Sequence, residues 1–261
     1  MSLDQPSPFV KHQTETSDAF LGGRLILSQP KHGFRAGLDS VILGASVAAT
    51  STTLLDLGAG VGTASFVALA HATAKRATLA EYNPVIAALA RENAANNGFA
   101  EKCSIIEVDV AAKGSARIEA GMAENAFDTV IANPPFFAHG AGTLAKGEYR
   151  SVARHMDEQT LDLWVKTAAT SAAAGGEVIF VYPATSLAIL LASFTKRFGA
   201  ISILPLCPRA GEPASRVLVR GIKGSRAPLS LLASRNLHLD EGRHFAPGFE
   251  AIFRGTDTLH W

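Results

Sequence analysis

Asn133-Pro134-Pro135-Phe136 is the segment whose residue types most plainly imply chemistry. Two successive prolines end a helix and a strand ladder alike, and hold the backbone in a rigid extended turn. The side-chain carbonyl of Asn133 and the backbone carbonyl of Pro134 can then face the same space. Two convergent acceptors fit a planar amine, which carries two N–H donors. The lone pair of such a nitrogen is delocalised, so it is a poor nucleophile. Gripping both protons while an electrophile approaches favours a pyramidal nitrogen, which is transition-state stabilisation by fixed dipoles. Phe136 offers a face on which a flat base would stack, worth roughly 1–3 kcal/mol. The nitrogen sheds its proton once it has become cationic, so no catalytic histidine is assigned.

A second constellation lies upstream, in Asp56-Leu57-Gly58-Ala59-Gly60-Val61-Gly62-Thr63. Glycines placed where a strand gives way to a helix let the chain turn tightly and approach a ligand closely. A dinucleotide pyrophosphate site would need its third glycine at position 63, which is threonine; here it comes one residue earlier, at Gly62. Glu81 follows about 20 residues later, where a carboxylate can accept both hydroxyl protons of a ribose. Asp109 comes next in order, after a further apolar run. A plain tight turn with solvated strand-end charges is the competing reading of these residues.

The elements that must position them are short apolar runs alternating with Ala-rich stretches. Strands are predicted at 53–57, 77–81, 104–108, 127–132, 177–182, 201–206 and 216–220, and the middle ones show no polar face, which suits a sheet covered on both sides. Helices are predicted at 39–49, 84–97 and 160–174. The helix at 84–97 has Asn83 to cap its amides, Pro84 for its first turn and Gly98 for a left-handed stop. Strand and helix alternating in this way predicts an α/β fold with a mostly parallel sheet. Asp56, Glu81 and Asp109 then fall at carboxyl ends of strands, where open sheets of this class collect ligands, and Asn133 follows the strand at 127–132.

Composition narrows the class further. The 261 residues are 48% hydrophobic and 18% charged, enough to build a full core without staples. Two cysteines, Cys103 and Cys207, support neither a disulfide framework nor a clustered-thiolate zinc site, and no metal is expected. No apolar run reaches the ~20 residues of a membrane helix, and no basic segment followed by an apolar run opens the chain. The expectation is a cytoplasmic protein without a membrane partner. Residues 1–19 are polar and read as a flexible arm, leaving 20–261 as one domain.

The spacing of the glycine turn, with an acid two residues before it, resembles motif I of class I S-adenosylmethionine methyltransferases. The tetrad 133–136 resembles the signature of those that act on planar amino nitrogens. Two further stretches are similar to a family of bacterial tRNA adenine-N6 methyltransferases that modify the adenine beside the anticodon of valine tRNA. They are residues 29–45, which include Phe34-Arg35-Ala36-Gly37-Leu38-Asp39-Ser40, and Pro213-Ala214-Ser215-Arg216-Val217-Leu218. The resemblance runs from Phe20 to about Lys223. It implies a Rossmann-like seven-stranded fold with the last strand antiparallel, and S-adenosyl-L-methionine as cofactor. It also implies that Arg35, Asp39, Asp56, Gly58, Ala59, Gly60, Gly62, Glu81, Tyr82, Asp109, Val110 and Asn133 form the cofactor site. In that reading Glu81 binds the ribose and Asp109 the adenine amino group, while Asn133, Pro134, Pro135 and Phe136 carry the catalysis.

The substrate so implied is an exocyclic amino group in RNA, most directly N6 of an adenine in tRNA. Phe136 keeps N2 of a guanine in rRNA open, because enzymes of that type often carry phenylalanine where the adenine enzymes carry tyrosine. A glutamine amide and a non-catalytic RNA-binding module are the further alternatives. A nicotinamide-dependent oxidoreductase is disfavoured by Thr63 and by the tetrad. Cations at Lys146, Arg150 and Arg154, with His155, and later at Lys196, Arg197, Arg209, Arg216, Arg220, Lys223, Arg226 and Arg235, are expected either to form a phosphate-tracking face or to be scattered surface charge.

Overall fold

The computed structural model describes residues 15–32, 35–135 and 158–261. The chain begins with an antiparallel hairpin, β1 (Glu15–Phe20) and β2 (Leu25–Pro30). Residues 15–19 are therefore a strand, where a loose arm was expected. Their side chains alternate between exposed and half-buried, and a stretch this polar shows no apolar face by which its sequence would declare a strand. Helix α1 (Leu38–Ala45) follows and is shorter than expected, because Ser46 already caps its last turn.

The alternating core then runs β3 (Thr53–Leu57), α2 (Thr63–Ala70), β4 (Arg76–Glu81), α3 (Pro84–Asn96), β5 (Cys103–Glu107), α4 (Gly114–Glu119) and β6 (Phe127–Ala132). It continues through α5 (Glu158–Ser171), β7 (Ala172–Pro183), α6 (Leu187–Phe194), β8 (Phe198–Cys207) and β9 (Arg216–Lys223). Two short strands, β10 (Ser230–Leu231) and β11 (Arg235–Asn236), add to β8, and α7 (Pro247–Arg254) follows them. The sheet order is β10-β8-β9-β7-β6-β3-β4-β5. All pairs among β3 to β7 are parallel, and β9 lies antiparallel between β7 and β8. The expected seven-stranded sheet with its last strand reversed is thus present, with β10 and β11 as additions at its edge.

Local chemistry accounts for these elements. Asn83 accepts from the amides of Val85 and Ile86 at 3.0 and 3.3 Å, which caps α3 in front of Pro84. The helix expected at 160–174 ends instead at Ser171. Its last alanines join β7, where Ala172 pairs with Phe127 before the register slips and Glu177 pairs with Thr129. Gly175, at φ +76°, sits in the slipped stretch, a backbone state that alanine avoids. Apolar side chains fill both faces of the sheet: Phe66, Leu54 and Leu79 under α1–α3, and Phe180, Phe194 and Val130 under α5 and α6. Each such large side chain contributes roughly 1.5–3 kcal/mol when buried.

This topology decides where a ligand site can form. From β3 the chain steps outward to β4 and β5, then returns to β6 on the other side of β3. The reversal opens a crevice beyond the carboxyl ends of β3 and β6. Leu57 is paired with Ala80 on one side and Ala132 on the other. Gly58, Glu81 and Asn133 are therefore the next residues of three adjacent strands.

Candidate active site

The glycine turn leaves β3 with all three glycines in the left-handed region, at φ +66° for Gly58, +58° for Gly60 and +92° for Gly62. They face different surroundings. A Cβ on Gly58 would lie 2.5 Å from Cη2 of Trp164, and one on Gly62 would lie 2.4 Å from Phe66. A Cβ on Gly60 would meet nothing within 4 Å. Gly58 and Gly62 thus pack the turn against the protein, while Gly60 borders open space. The Ala59 amide donates to the carbonyl of Ala80 at 3.0 Å, and the Gly62 amide to that of Ala59 at 3.0 Å, which holds the turn against β4.

Glu81 closes the turn from β4. Its carboxylate accepts the Gly60 amide at 3.0 Å and the Asn83 amide at 2.9 Å, and burial pushes its pKa up against the lowering by these amides. Each carboxylate oxygen retains acceptor capacity beyond its one amide. Tyr82, next in the chain, is half exposed. Asp56 is fully buried, and the Ser65 hydroxyl donates to it at 2.8 Å, which joins the end of β3 to α2. Burial pushes the Asp56 carboxyl up to about 7, with Ser65 lowering it and nearby Glu81 raising it. After β5, Asp109 is exposed and accepts the Ala111 amide at 2.8 Å, while Val110 is buried.

On the other flank of β3, Asn133 Nδ2 donates to Ser40 Oγ at 3.4 Å. Its Oδ1 is buried and has no hydrogen-bond partner among the described residues. Pro134 is buried and Pro135 exposed; Phe136 lies outside the described residues. Asp39, beside Ser40, takes an ion pair from Arg216 at 2.9 Å. Arg35 instead reaches back to the hairpin, donating to Asp18 at 2.5 Å, Thr16 at 2.6 Å and the Pro30 carbonyl at 3.2 Å.

The structure brings Gly58, Ala59, Gly60, Gly62, Glu81 and Asn133 together around the ends of three neighbouring strands, with Asp109 beyond the end of the next one. Asp56 stands behind the turn, and Arg35 is engaged by the hairpin. Sequence reasoning missed Ser65, Trp164 and Asn93, whose Nδ2 donates to the Val61 carbonyl of the turn at 3.2 Å. Ser40 stood inside a quoted motif without a role of its own.

The later cations are spread along the sheet rather than gathered at one end of it. Because β9 runs antiparallel, Arg216 pairs with Pro183 at the carboxyl end of β7, whereas Lys223 pairs with Phe198 at the opposite end of the sheet. Lys196 and Arg197 are taken up by Asp162, Lys223 by Asn125, and Arg220 lies over the Trp261 ring at 4.4 Å. Lys146, Arg150, Arg154 and His155 lie outside the described residues. Among the described residues no cluster of His, Cys, Asp and Glu could hold a metal, and no helix is long and apolar enough to cross a membrane.

Comparison with known proteins decides the family. Residues 39–182 match the model of the methyltransferase small domain. The chain belongs to this family. A relative from Shewanella baltica, named tRNA1(Val) (adenine(37)-N6)-methyltransferase, is 30% identical over 191 residues, covering 71% of this chain and 76% of that protein. A Haemophilus influenzae protein of the same name is 29% identical over 160 residues, or 60% of this chain; the match spans 65% of the relative's length. A crystal structure from Agrobacterium tumefaciens, titled a predicted O-methyltransferase, shares 31% identity with a TM-score of 0.70, covering 85% of this chain and 98% of that one.

Proposed function

We propose that this member of the methyltransferase small domain family transfers a methyl group from S-adenosyl-L-methionine to N6 of an adenine in tRNA, in the cytoplasm, with one catalytic domain that starts at the β1–β2 hairpin, at residue 15 rather than 20. The observation that carries the reading is Asn133 Oδ1, a buried acceptor without a partner among the described residues, at the end of the strand beside the glycine turn. A buried carbonyl left unpaired costs on the order of 1–3 kcal/mol, and a ligand donor would relieve that cost.

The residues around the turn fit the cofactor. Gly60 borders open space where a side chain would intrude, and Glu81 keeps acceptor capacity for the two hydroxyls of a ribose. Asp109 is exposed to receive an adenine amino group, and we assign Tyr82 and Val110 to the same cofactor site. When bound, S-adenosylmethionine supplies an electrophilic methyl group on a sulfonium.

The chain's own contribution is to hold the amine. Asn133 Oδ1 and the Pro134 carbonyl would each accept one N–H of the exocyclic amine, drawing its hydrogens out of the ring plane and freeing the lone pair. The prolines keep both acceptors fixed, so little reorganisation is needed as charge develops. The proton leaves after the nitrogen is methylated and cationic, which is why the site asks for no strong base. The name of the Agrobacterium neighbour raises the alternative of a hydroxyl acceptor. A hydroxyl has one proton to offer, so two convergent acceptors match an amine better.

Adenine N6 is favoured over guanine N2 by the names of the Shewanella and Haemophilus relatives. The test is methyl transfer to an unmodified valine tRNA transcript, read by nucleoside mass spectrometry. N6-methyladenosine is the expected product. Asn133→Ala should lower turnover at least about a thousandfold while cofactor affinity stays within a few-fold. Unchanged turnover in that variant refutes the amine grip, and N2-methylguanosine as product refutes the choice of base.

A further inference from the structure

Asn133 carries a primary amide, with one accepting end and one donating end. The proposed reaction needs the accepting end toward the substrate. Turned around, the amide would set its own N–H groups against those of the amine, donor against donor. Such a reversal costs nothing in shape, because the two ends are nearly isosteric; only a hydrogen-bond partner can forbid it.

The structure supplies one partner. Ser40 is buried in the first turn of α1, and its hydroxyl oxygen lies 3.4 Å from Asn133 Nδ2. The opposite atom, Oδ1, has no partner among the described residues. We propose that Ser40 is a positioning residue: its hydroxyl oxygen accepts from Asn133 Nδ2 and so keeps the Asn133 carbonyl facing the methyl-accepting amine. In this contact the hydroxyl oxygen is the acceptor and the amide nitrogen the donor, while the Ser40 backbone amide donates to the Gly37 carbonyl at 3.2 Å. This inference rests on the amine-gripping reading above and deepens it.

The hydroxyl can impose a position because α1 is held along its length. Asp39 is paired with Arg216 at 2.9 Å. Gly44 lets the helix lie against α2, where a Cβ would come 2.2 Å from the Ala64 carbonyl oxygen. At its far end the Leu259 amide donates to Ala45 and the Trp261 indole to Ser46, both at 2.9 Å. Ser40 therefore approaches Asn133 from a helix fixed at both ends.

The test compares Ser40→Ala and Ser40→Thr on the same valine tRNA transcript. Ser40→Ala should lower kcat about 10–100-fold, the scale of a misplaced catalytic group, with KM for tRNA and the calorimetric Kd for S-adenosylmethionine within threefold of wild type. Ser40→Thr, which keeps the oxygen, should recover kcat to within a few-fold. Should Ser40→Ala not fold, Ser40→Cys, close in size and a weak acceptor, must show the same fall in kcat. Full kcat in Ser40→Ala beside an inactive Asn133→Ala overturns the positioning role and leaves the amine grip standing. A Ser40→Thr variant as slow as Ser40→Ala overturns it too, since the oxygen is then not what matters. An active Asn133→Ala removes the amine grip itself, whatever Ser40 does.

Discussion

The carboxylate of Glu81 accepts the backbone amide of Gly60 at 3.0 Å, so the acid of one strand holds the middle glycine of the neighbouring strand's turn. The same carboxylate takes the Asn83 amide at 2.9 Å. It thereby ties the turn after β3 to the turn after β4, and the acid proposed to bind the ribose is also a structural tie.

Glu81→Ala should therefore show two separable losses. Stability should fall by about 1–3 kcal/mol, as two amides lose their acceptor. Affinity for S-adenosylmethionine should fall at least about tenfold by calorimetry, and Glu81→Gln, which keeps one acceptor oxygen, should fall between that variant and wild type. Wild-type affinity in a destabilised Glu81→Ala would mean that the carboxylate serves the turn alone.

The glycines of the turn should separate folding from binding. Gly62→Ala forces a Cβ to 2.4 Å from Phe66 at φ +92°, and should cost about 3 kcal/mol or more in a urea melt. Gly60→Ala meets open space at φ +58° and should cost only about 1–2 kcal/mol. Yet Gly60→Ala should weaken the cofactor at least about tenfold, since its methyl group fills the space that the ligand needs. A Gly60→Ala protein that binds as tightly as wild type would place the ligand elsewhere.

Asp56 should give the fold a pH dependence. Its carboxyl rises from 3.8 to about 7 on folding, chiefly by burial. A raised folded pKa means stability that is complete below pH 4 and is lost as pH climbs through 7. Asp56→Asn keeps an acceptor for Ser65 and carries no charge to bury. The variant should match wild type near pH 4 and exceed it by a few kcal/mol at pH 8, on the scale of about 1.4 kcal/mol per pKa unit. Denaturant midpoints at both pH values check this, and parallel pH profiles for the two proteins would contradict it.

What could be read from sequence was whatever is local. Each site motif follows an apolar run, so Gly58, Glu81, Asp109 and Asn133 could be placed at strand ends by counting along the chain. Their neighbourhood across the sheet then followed from the parallel topology. The contacts that orient them are tertiary. Ser40 and Asn133 stand 93 residues apart, and nothing in either segment announces the other. The cations after Ser186 form a run in sequence, but an antiparallel strand sends Arg216 and Lys223 to opposite ends of the sheet. Ala172 was read as helix because alanine favours helices, while its pairing with Phe127 made it strand. The hairpin was illegible for a similar reason: β1 is polar, and its partners are supplied by the rest of the fold.

Those partners include Asn93 of α3 and Asn97, one turn on, which caps that helix. Asn97 both accepts from the Ile26 amide and donates to its carbonyl, at 3.0 and 2.9 Å, and Asn93 does the same for Ser28 at 2.8 and 3.0 Å. The two side-chain amides stand in for a third strand along the outer margin of β2. A margin satisfied in this way offers no template to another chain, so the β2 side of the hairpin is shielded from the edge-to-edge association that open strands invite.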